Sequence, residues 1–316
     1  MISIKNNSKF FIKTPVVFLI FNRPELTAKV FEVIRQAQPP ILLVVADGSR
    51  SDRPEEAEKC QQTRAIIDCV DWNCEVLKNY SDINLGCAKR VSSGLNWVFE
   101  TVESAIILED DCLPHPTFFD YCEELLNYYQ QDQRVMSIAG TNFQFGHQRS
   151  EYSYYYSGFH DCWGWATWRR AWQYFDFEMK LWPTFRESNF LEHKLSNNSR
   201  AVRYWRRLFQ ATYEGKKNSW FYRWLFSCWV QSGLGIMPSV NLVSNLGFSL
   251  SYSSNTTAEA KKISYANMPV QAMGFPLSHP PYLLQNWEAD EWTQETRFSP
   301  SFLNRVKRKL NNFFSQ

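Results

Sequence analysis

A short apolar run that ends in three consecutive carboxylates is the strongest constraint on the fold of this chain. The run Ala105–Leu108 is followed directly by Glu109, Asp110 and Asp111. A continuous apolar run of this length predicts a strand that is buried on both faces of a parallel sheet. In open α/β sheets the carboxyl ends of such strands form the crevice in which ligands bind. The three acids are therefore expected at a ligand-binding edge.

Three adjacent carboxylates at such an edge repel one another unless a cation neutralises them. A divalent metal supplies that charge, and carboxylate oxygens suit Mg²⁺ or Mn²⁺ that also holds a phosphate-bearing substrate. The alternative is a charged turn at the surface. We favour the metal–phosphate interpretation, because the preceding run is apolar throughout and should be an internal strand.

Apolar runs alternate with amphipathic segments through the first half of the chain. Pro24, in the first turn, and an Asn22 cap mark the start of the first predicted helix. Strands that alternate with helices indicate an α/β fold with a mostly parallel central sheet flanked by helices. Strands are predicted at 15–21, 41–46, 74–78, 105–108 and 135–139, and helices at 24–37, 55–70, 88–103, 118–130 and 220–230.

The composition excludes several classes of protein. Hydrophobic residues make up 44% and charged residues 21% of the chain, so a sizeable core is expected rather than disorder. A net charge of +2 gives no strong field that would indicate nucleic-acid binding. The first 13 residues lack the apolar core of a signal peptide, and the eight cysteines are scattered. We therefore expect a cytoplasmic protein with reduced thiols.

Two further strand ends add polar residues to the same predicted edge. Arg23 follows the first strand and Asp47 follows the second. An Arg binds a diphosphate through its fork of donors, and an Asp can accept a hydrogen bond from a base N–H or a ribose hydroxyl. Neither a Gly-x-Gly-x-x-Gly motif after the first strand nor a Gly-Lys-Ser/Thr phosphate loop is present. Phosphate recognition is therefore expected to depend on a metal and on side chains.

The ordered set of these motifs resembles GT-A-fold glycosyltransferases, in particular bacterial family-2-like enzymes and the N-acetylglucosaminyltransferase I group. The resemblance covers roughly residues 14–257. The runs 162–168 and 238–247 are also similar to runs in bacterial members. The motifs that carry the resemblance are 17–24, 46–50, Asn84-Leu85-Gly86 and 107–111.

The resemblance implies a metal-dependent, inverting glycosyltransferase. The expected donor is a nucleotide-diphosphate sugar, most of all a UDP-sugar, and the expected acceptor is a glycan or a lipid-linked molecule of bacterial surface polysaccharide synthesis. By this resemblance Asp47 faces the base and Arg23 the base–phosphate region. Asp110 and Glu109 face the ribose and the donor sugar, and Asp111 holds the Mn²⁺ or Mg²⁺ on the diphosphate.

The general base is the part of the site that departs from the resemblance. Inversion requires a carboxylate that takes the proton of the acceptor hydroxyl. Relatives often carry an Asp in the segment that matches 218–224, and a Thr-His-Thr near the site of 255–257. This chain has no acid between Glu214 and Glu259 and no His at 255–257. Glu214 and Asp161 are the remaining candidates, and the alternative is that both are ordinary surface acids.

Two other classes of function stay open. A sugar-phosphate nucleotidyltransferase is also an α/β protein, but it normally has a Gly-rich, basic loop after the first strand, and Asn22-Arg23-Pro24 is not such a loop. A non-catalytic relative that binds a nucleotide sugar or a glycan is favoured by the missing base.

We expect one GT-A domain over 1–285, followed by a C-terminal tail over 286–316. Within the domain, 14–140 is the predicted nucleotide-sugar-binding half and 141–285 the acceptor-binding half. The tail contains a predicted basic amphipathic helix over 301–315, which either contacts an anionic membrane or docks on its own domain.

Aromatic residues make up 16% of the chain and are densest between Trp163 and Trp172. At least half of that cluster is expected to pack in the core, and one or two of its rings are expected at the acceptor site. The arginines Arg203, Arg206 and Arg207 are expected to form a solvated face of a helix.

Overall fold

The computed structural model describes residues 12–247, 265 and 267–299 of this chain. Apolar strands and amphipathic helices alternate through the first half of it, as their sequence pattern predicts. The strands are β1 Val16–Ile20, β2 Ile41–Ala46, β3 Glu75–Tyr80, β4 Ser104–Glu109, β5 Cys112–Pro114, β6 Val135–Ala139, β7 Tyr154–Ser157, β8 Trp165–Trp168, β9 Leu234–Pro238 and β10 Val243–Asn245.

The longer helices cover the faces of the sheet and the region after it. A 3₁₀ turn over Ile66–Cys69 extends the second helix, and a π-helical turn over Gln294–Phe298 extends the last one. The helices are α1 Pro24–Ala37, α2 Glu55–Ala65, α3 Cys87–Thr101, α4 Thr117–Tyr128, α5 Arg169–Trp172, α6 Trp182–Arg186, α7 Phe190–Lys194, α8 Ser199–Tyr213, α9 Trp220–Val230 and α10 Trp287–Thr293.

Eight of these strands form one sheet in the order β3-β2-β1-β4-β8-β6-β9-β7. The strands β3, β2, β1 and β4 are parallel to one another, and β6 is parallel to β9. The strand β8 runs antiparallel to both of its neighbours, and β7 runs antiparallel to β9. The predicted α/β class with a mostly parallel central sheet flanked by helices is confirmed.

The central strands are buried along their whole length, which explains why they lack the polar alternation of a half-exposed strand. Every residue of β1 is buried, and so are Ala105–Leu108 of β4. Helices α1 and α3 each bury one apolar side against the sheet, with Leu26, Val30 and Ile34 in α1. Burial of this kind stabilises a fold by about 25 cal/mol per Å² of apolar surface.

The predicted cap of the first helix is wrong. Helix α1 begins at Pro24 with Arg23 in the cap position, and no side chain caps its first turn. The Asn22 amide instead donates to the carboxylate of Glu56, at 3.1 Å. Pro24 supplies the start signal, because its fixed φ suits the first helical turn and its missing N–H costs nothing there.

The aromatic-rich half of the chain forms core, as expected for most of the Trp163–Trp172 cluster. Trp165, Trp168 and Trp172 are buried. The edge strand β7 was not predicted, because its sequence Tyr-Tyr-Tyr-Ser gives no apolar run. The hydroxyl of Tyr129 holds this strand by hydrogen bonds with the hydroxyls of Tyr154 and Tyr156.

Part of the predicted tail packs against this sheet. The buried Asp290 of α10 accepts hydrogen bonds from Ser157 Oγ, from the Gly158 N–H and from Gln285 Nε2. Burial raises the pKa of Asp290 to about 6, although these donors oppose the shift. The predicted helix over 301–315 and the segment 255–257 lie outside the described residues.

His160 lies in the core between the sheet and α9 and does not face a ligand site. Its Nδ1 is 2.6 Å from the hydroxyl of Ser137, and both side chains are buried. Burial lowers the pKa of His160 to about 3. The native protein therefore keeps this ring neutral through a pH range in which the unfolded chain protonates it.

We expect His160 to make the fold sensitive to acid. Between pH 6.5 and pH 3 the imidazole of His160 is protonated in the unfolded chain but not in the native protein. The free energy of unfolding therefore falls as the pH falls. From pH 7 to pH 4.5 this linkage should cost roughly 2–3 kcal/mol. Urea unfolding at the two pH values should show a smaller loss for His160→Gln than for the parent. The exposed His193→Gln is the matched control, and equal losses in all three proteins would contradict the assignment.

Candidate functional site

The carboxyl ends of β1, β2 and β4 open into one cleft of about 590 Å³. The chain leaves β1 through α1 to pair β2 on one side, and returns after β3 through α3 to pair β4 on the other side. The gap between β1 and β4 is therefore the point at which the strand order reverses. In open α/β sheets this position leaves a crevice, because the two connections diverge to opposite faces. The predicted convergence of the three strand ends is confirmed.

An ion pair between Arg23 and two of the three acids spans this gap. Arg23 Nη1 lies 3.2 Å from Asp110 Oδ1 and 2.7 Å from Asp111 Oδ2. The N–H of Phe21 donates to the other oxygen of Asp110, at 3.2 Å. The cation that neutralises this acidic turn within the protein is thus an arginine from the neighbouring strand end. The charge of the turn does not by itself require a metal.

Glu109 is the acid of the cleft that this ion pair leaves aside. Among the described residues its carboxylate has neither a hydrogen-bond partner nor an ion-pair partner, although it lines the cleft and the charge of Arg23 acts on it from a distance. Burial raises the pKa of Glu109 to about 8, and the charges of Asp111 and Asp110 add to the shift. Burial also raises the pKa of Asp110 to about 7, against the opposing effect of Arg23.

Asp47 has a structural task that the sequence did not reveal. Its Oδ1 accepts hydrogen bonds from the N–H groups of Gly48 (3.0 Å) and Leu85 (2.8 Å), and its Oδ2 accepts from the Gly86 N–H (2.9 Å). The loop Asn84-Leu85-Gly86 is thereby fastened to the end of β2, directly before α3. A carboxylate has about four lone-pair positions, so this one retains little capacity for a base or a ribose.

The same end of the cleft carries an aromatic ring and a second arginine. Phe21 lines the cleft, and the guanidinium of Arg50 lies 5.8 Å from its ring centre. Arg50 is held by the buried carboxylate of Glu56, which also accepts from Asn22. This end therefore presents an apolar ring face bordered by a fixed cation.

A two-stranded ribbon, β5 with β10, places a second wall over the acids. The ribbon brings Asn245 and Gly247 to the cleft, and the Leu246 N–H donates to the backbone carbonyl of Asp111. A Cβ atom at Gly247 would lie 2.1 Å from Asp111 Oδ2. A larger residue at this position would displace the Asp111 carboxylate, which accounts for the glycine at 247.

The donor set of the cleft fits a metal that arrives with a phosphate ligand. Among the described residues no three His, Cys, Asp or Glu side chains form a cluster that could hold a metal ion by themselves. Mg²⁺, however, is commonly bound through one or two carboxylates together with substrate phosphates and water. Asp111 can serve in this way: its Oδ1 has only long contacts of 3.5 Å, to Asn245 Nδ2 and Cys112 Sγ.

Asp161 is placed in the core and forms an ion pair there. Its Oδ2 is bound by Arg297, and its Oδ1 accepts from the N–H groups of Cys162 and Trp163. The guanidinium of Arg297 also lies 3.9 Å from the ring centre of Phe143. Trp163, but not Asp161, is among the residues that line the cleft. Asp161 therefore holds the backbone that presents Trp163.

Glu214 is not brought to the cleft either. It is an exposed residue that follows α8, where Gln210 donates to it at 2.7 Å and Lys216 pairs with it at 2.6 Å. It is Asn218, four residues later, that lines the cleft, and its Oδ1 accepts from the Ala88 N–H at the start of α3. The position expected for a base thus carries an amide.

Comparisons with known proteins give no family. No protein-family model matches this sequence, and no curated protein matches it either. Among solved structures, the mannosyltransferase PcManGT from Pyrobaculum calidifontis, in complex with GDP-Man and Mn²⁺, aligns with 50% of this chain and 45% of its own, at 14% identity and a TM-score of 0.33. A UDP-glucose pyrophosphorylase complexed with UDP-glucose aligns with 46% of this chain and 62% of its own length, at 14% identity and a TM-score of 0.25. This chain spans less than two thirds of either protein.

Arg23 is expected to stabilise the fold through the acidic turn. In Arg23→Gln two adjacent carboxylates lose their cation, and removal of one partner of a largely buried pair costs roughly 2–3 kcal/mol or more. Urea unfolding in EDTA at pH 8 should show this loss, and Mn²⁺ should recover part of it in the variant. Arg35→Gln is the control, because it removes an exposed ion pair between Arg35 of α1 and Asp71. Equal stability of the two variants would refute the role.

Proposed function

We propose that this protein is a glycosyltransferase of GT-A architecture that uses a nucleotide-diphosphate sugar. The observation that carries the proposal is the convergence of Arg23 with Glu109, Asp110 and Asp111 on the gap between β1 and β4. A donor of this kind combines an aromatic base, a diphosphate dianion and a sugar. The cleft contains groups suited to each part: the ring of Phe21, the cations Arg23 and Arg50, and the carboxylates that follow β4.

In this proposal the base binds near Phe21 and Arg50, since an aromatic ring can stack on a base and a fixed guanidinium can donate to it. Asp47 acts through the loop Asn84-Leu85-Gly86, which it holds in place, and the expected direct contact between Asp47 and the base is not needed. The diphosphate lies near Arg23, whose planar fork matches phosphate oxygens. The sugar then lies towards Trp163 and Asn245.

A divalent cation, Mn²⁺ or Mg²⁺, is proposed as part of the donor complex. Asp111 would hold it, together with the phosphates. When bound there, such an ion offsets the charge that develops on the leaving nucleoside diphosphate. Arg23 would contribute to the same stabilisation, because its guanidinium already contacts Asp110 and Asp111 beside the proposed metal position.

Glu109 is the carboxylate that we now propose as the general base. It lines the cleft, and among the described residues it is engaged by no donor, whereas Asp47, Asp110 and Asp111 are all engaged. Its carboxylate would take the proton of the acceptor hydroxyl while the hydroxyl oxygen bonds to the anomeric carbon. The bond from that carbon to the diphosphate breaks, and its electron pair leaves with the nucleoside diphosphate. One displacement of this kind inverts the anomeric centre.

Asp111→Asn should abolish Mn²⁺-dependent release of nucleoside diphosphate from the donor. A panel of nucleotide-diphosphate sugars is first screened by thermal shift with Mn²⁺, since a ligand of the native state raises its midpoint. Release of nucleoside diphosphate is then measured with the donor that binds. Asp68→Asn, an exposed carboxylate paired with Lys78, is the matched control. Metal-dependent release of nucleoside diphosphate by Asp111→Asn would contradict the assignment of Asp111 as the metal ligand. Formation of nucleoside triphosphate and sugar 1-phosphate from the donor when pyrophosphate is added would indicate a nucleotidyltransferase. Donor binding without any turnover would indicate a non-catalytic protein.

Glu109→Gln should reduce sugar transfer by at least about 100-fold, because a positioned base contributes about 10²–10⁴-fold. Donor affinity, measured by calorimetry, should change much less, since the amide keeps the size of the side chain. Glu214→Gln is expected to transfer at the parent rate, because its carboxylate lies outside the cleft. A large loss in Glu214→Gln together with an active Glu109→Gln would restore the original assignment of the base.

A further inference from the structure

One face of α8 forms a shallow basic groove of about 580 Å³ away from the proposed active site. Its cations are Arg200, Arg203 and Arg207, which recur at spacings of three and four and so lie on one side of the helix. Between them the groove has an apolar floor. The residues of this basic groove are Arg200, Arg203, Tyr204, Arg207, Leu208, Ala211, Phe298 and Ser299.

The positive charge of the basic groove is not compensated within the described part of the chain. Arg203 and Arg207 are exposed, and neither has a carboxylate within ion-pair distance there. Arg200 is paired with Glu295, at 2.8 Å. The sequence of α8 contains four arginines and no acid. A helix face with surplus cations is a surface suited to an anionic partner.

The sequence that follows the groove has the same character. Ser299 lines the groove, and the next residues, 300–316, contain four Lys or Arg and no Asp or Glu. They also contain three Phe and two Leu. The basic groove and the segment 300–316 therefore both combine cations with apolar side chains.

We propose that the basic groove is a docking surface for a membrane that contains anionic lipids. Lipid headgroups supply the phosphate charges that Arg203 and Arg207 lack. The adjoining acyl region suits the partly exposed apolar side chains of the groove, Leu208 and Ala211. Among the helices that the structure describes, none has the length and hydropathy of a membrane span. A net charge of only +2 leaves the local charge of this face, rather than the charge of the whole chain, as the source of the attraction. The inference is independent of the chemistry proposed for the cleft.

The test is sedimentation of the full chain with vesicles of phosphatidylcholine that contain about one third phosphatidylglycerol, compared with phosphatidylcholine alone. The parent should bind the anionic vesicles only, and less as salt increases. Arg203→Gln/Arg207→Gln should bind at least about tenfold more weakly, given that each cation contributes about 1 kcal/mol near an anionic surface. Lys29→Gln/Lys59→Gln removes the same charge from two exposed positions elsewhere and should bind as the parent does.

A second arm replaces the four cations of 300–316 with Gln, which separates the contribution of that segment from the contribution of α8. Equal binding of the α8 variant and the Lys control to anionic vesicles would overturn the proposal. Binding of the parent to neutral vesicles as tight as its binding to anionic vesicles would overturn it too. A fluorescent DNA duplex is the competing probe. Tighter binding to the duplex than to vesicles, lost in the α8 variant, would assign the surface to nucleic acid instead. Thermal midpoints of all variants confirm that each is folded.

Discussion

The pairing of Arg23 with Asp110 and Asp111 is the interaction on which the rest of the cleft depends. It joins the ends of β1 and β4 at a place where the sheet reverses its order, and it allows an acidic turn to follow a fully buried strand. Burial of carboxylates is costly unless they are paired, and the neighbouring strand end delivers the cation that pairs with Asp110 and Asp111. The same groups that solve this structural problem form the surface to which a charged ligand would bind.

Most of the sheet could be predicted from the sequence, because strands that are buried on both faces leave an uninterrupted apolar signature. Strands β2 and β6 and helix α9 have the predicted bounds, and β1 and β4 differ by one or two residues at their ends. The convergence of their polar ends followed from the rule for parallel sheets alone. The edge strand β7 could not be found in this way, since its three tyrosines form no aliphatic run. It is held by its backbone pairing with β9 and by hydroxyl bonds to Tyr129.

The candidate site was predictable at its strand ends and not at its walls. Asn245 and Gly247 reach Asp111 through a ribbon that pairs residues about 130 positions apart, and no local pattern encodes that register. The run 238–247 could be recognised in the sequence, but its contact with Asp111 could not. Asp161 was a candidate base and Asp47 a candidate contact of the donor base, yet the first is paired with Arg297 and the second holds a loop. A carboxylate in a sequence does not disclose whether its lone pairs are already occupied.

The central claim is that a nucleotide-diphosphate sugar binds at the gap between β1 and β4. Hydrogen exchange of the full chain, with and without such a donor and Mn²⁺, tests this claim most directly. We predict slowed exchange in the segments that line the gap, at 19–23, 84–91, 109–112 and 245–247, with no change along α8. Protection confined to other surfaces, or no protection at donor concentrations that raise the thermal midpoint, would contradict the account.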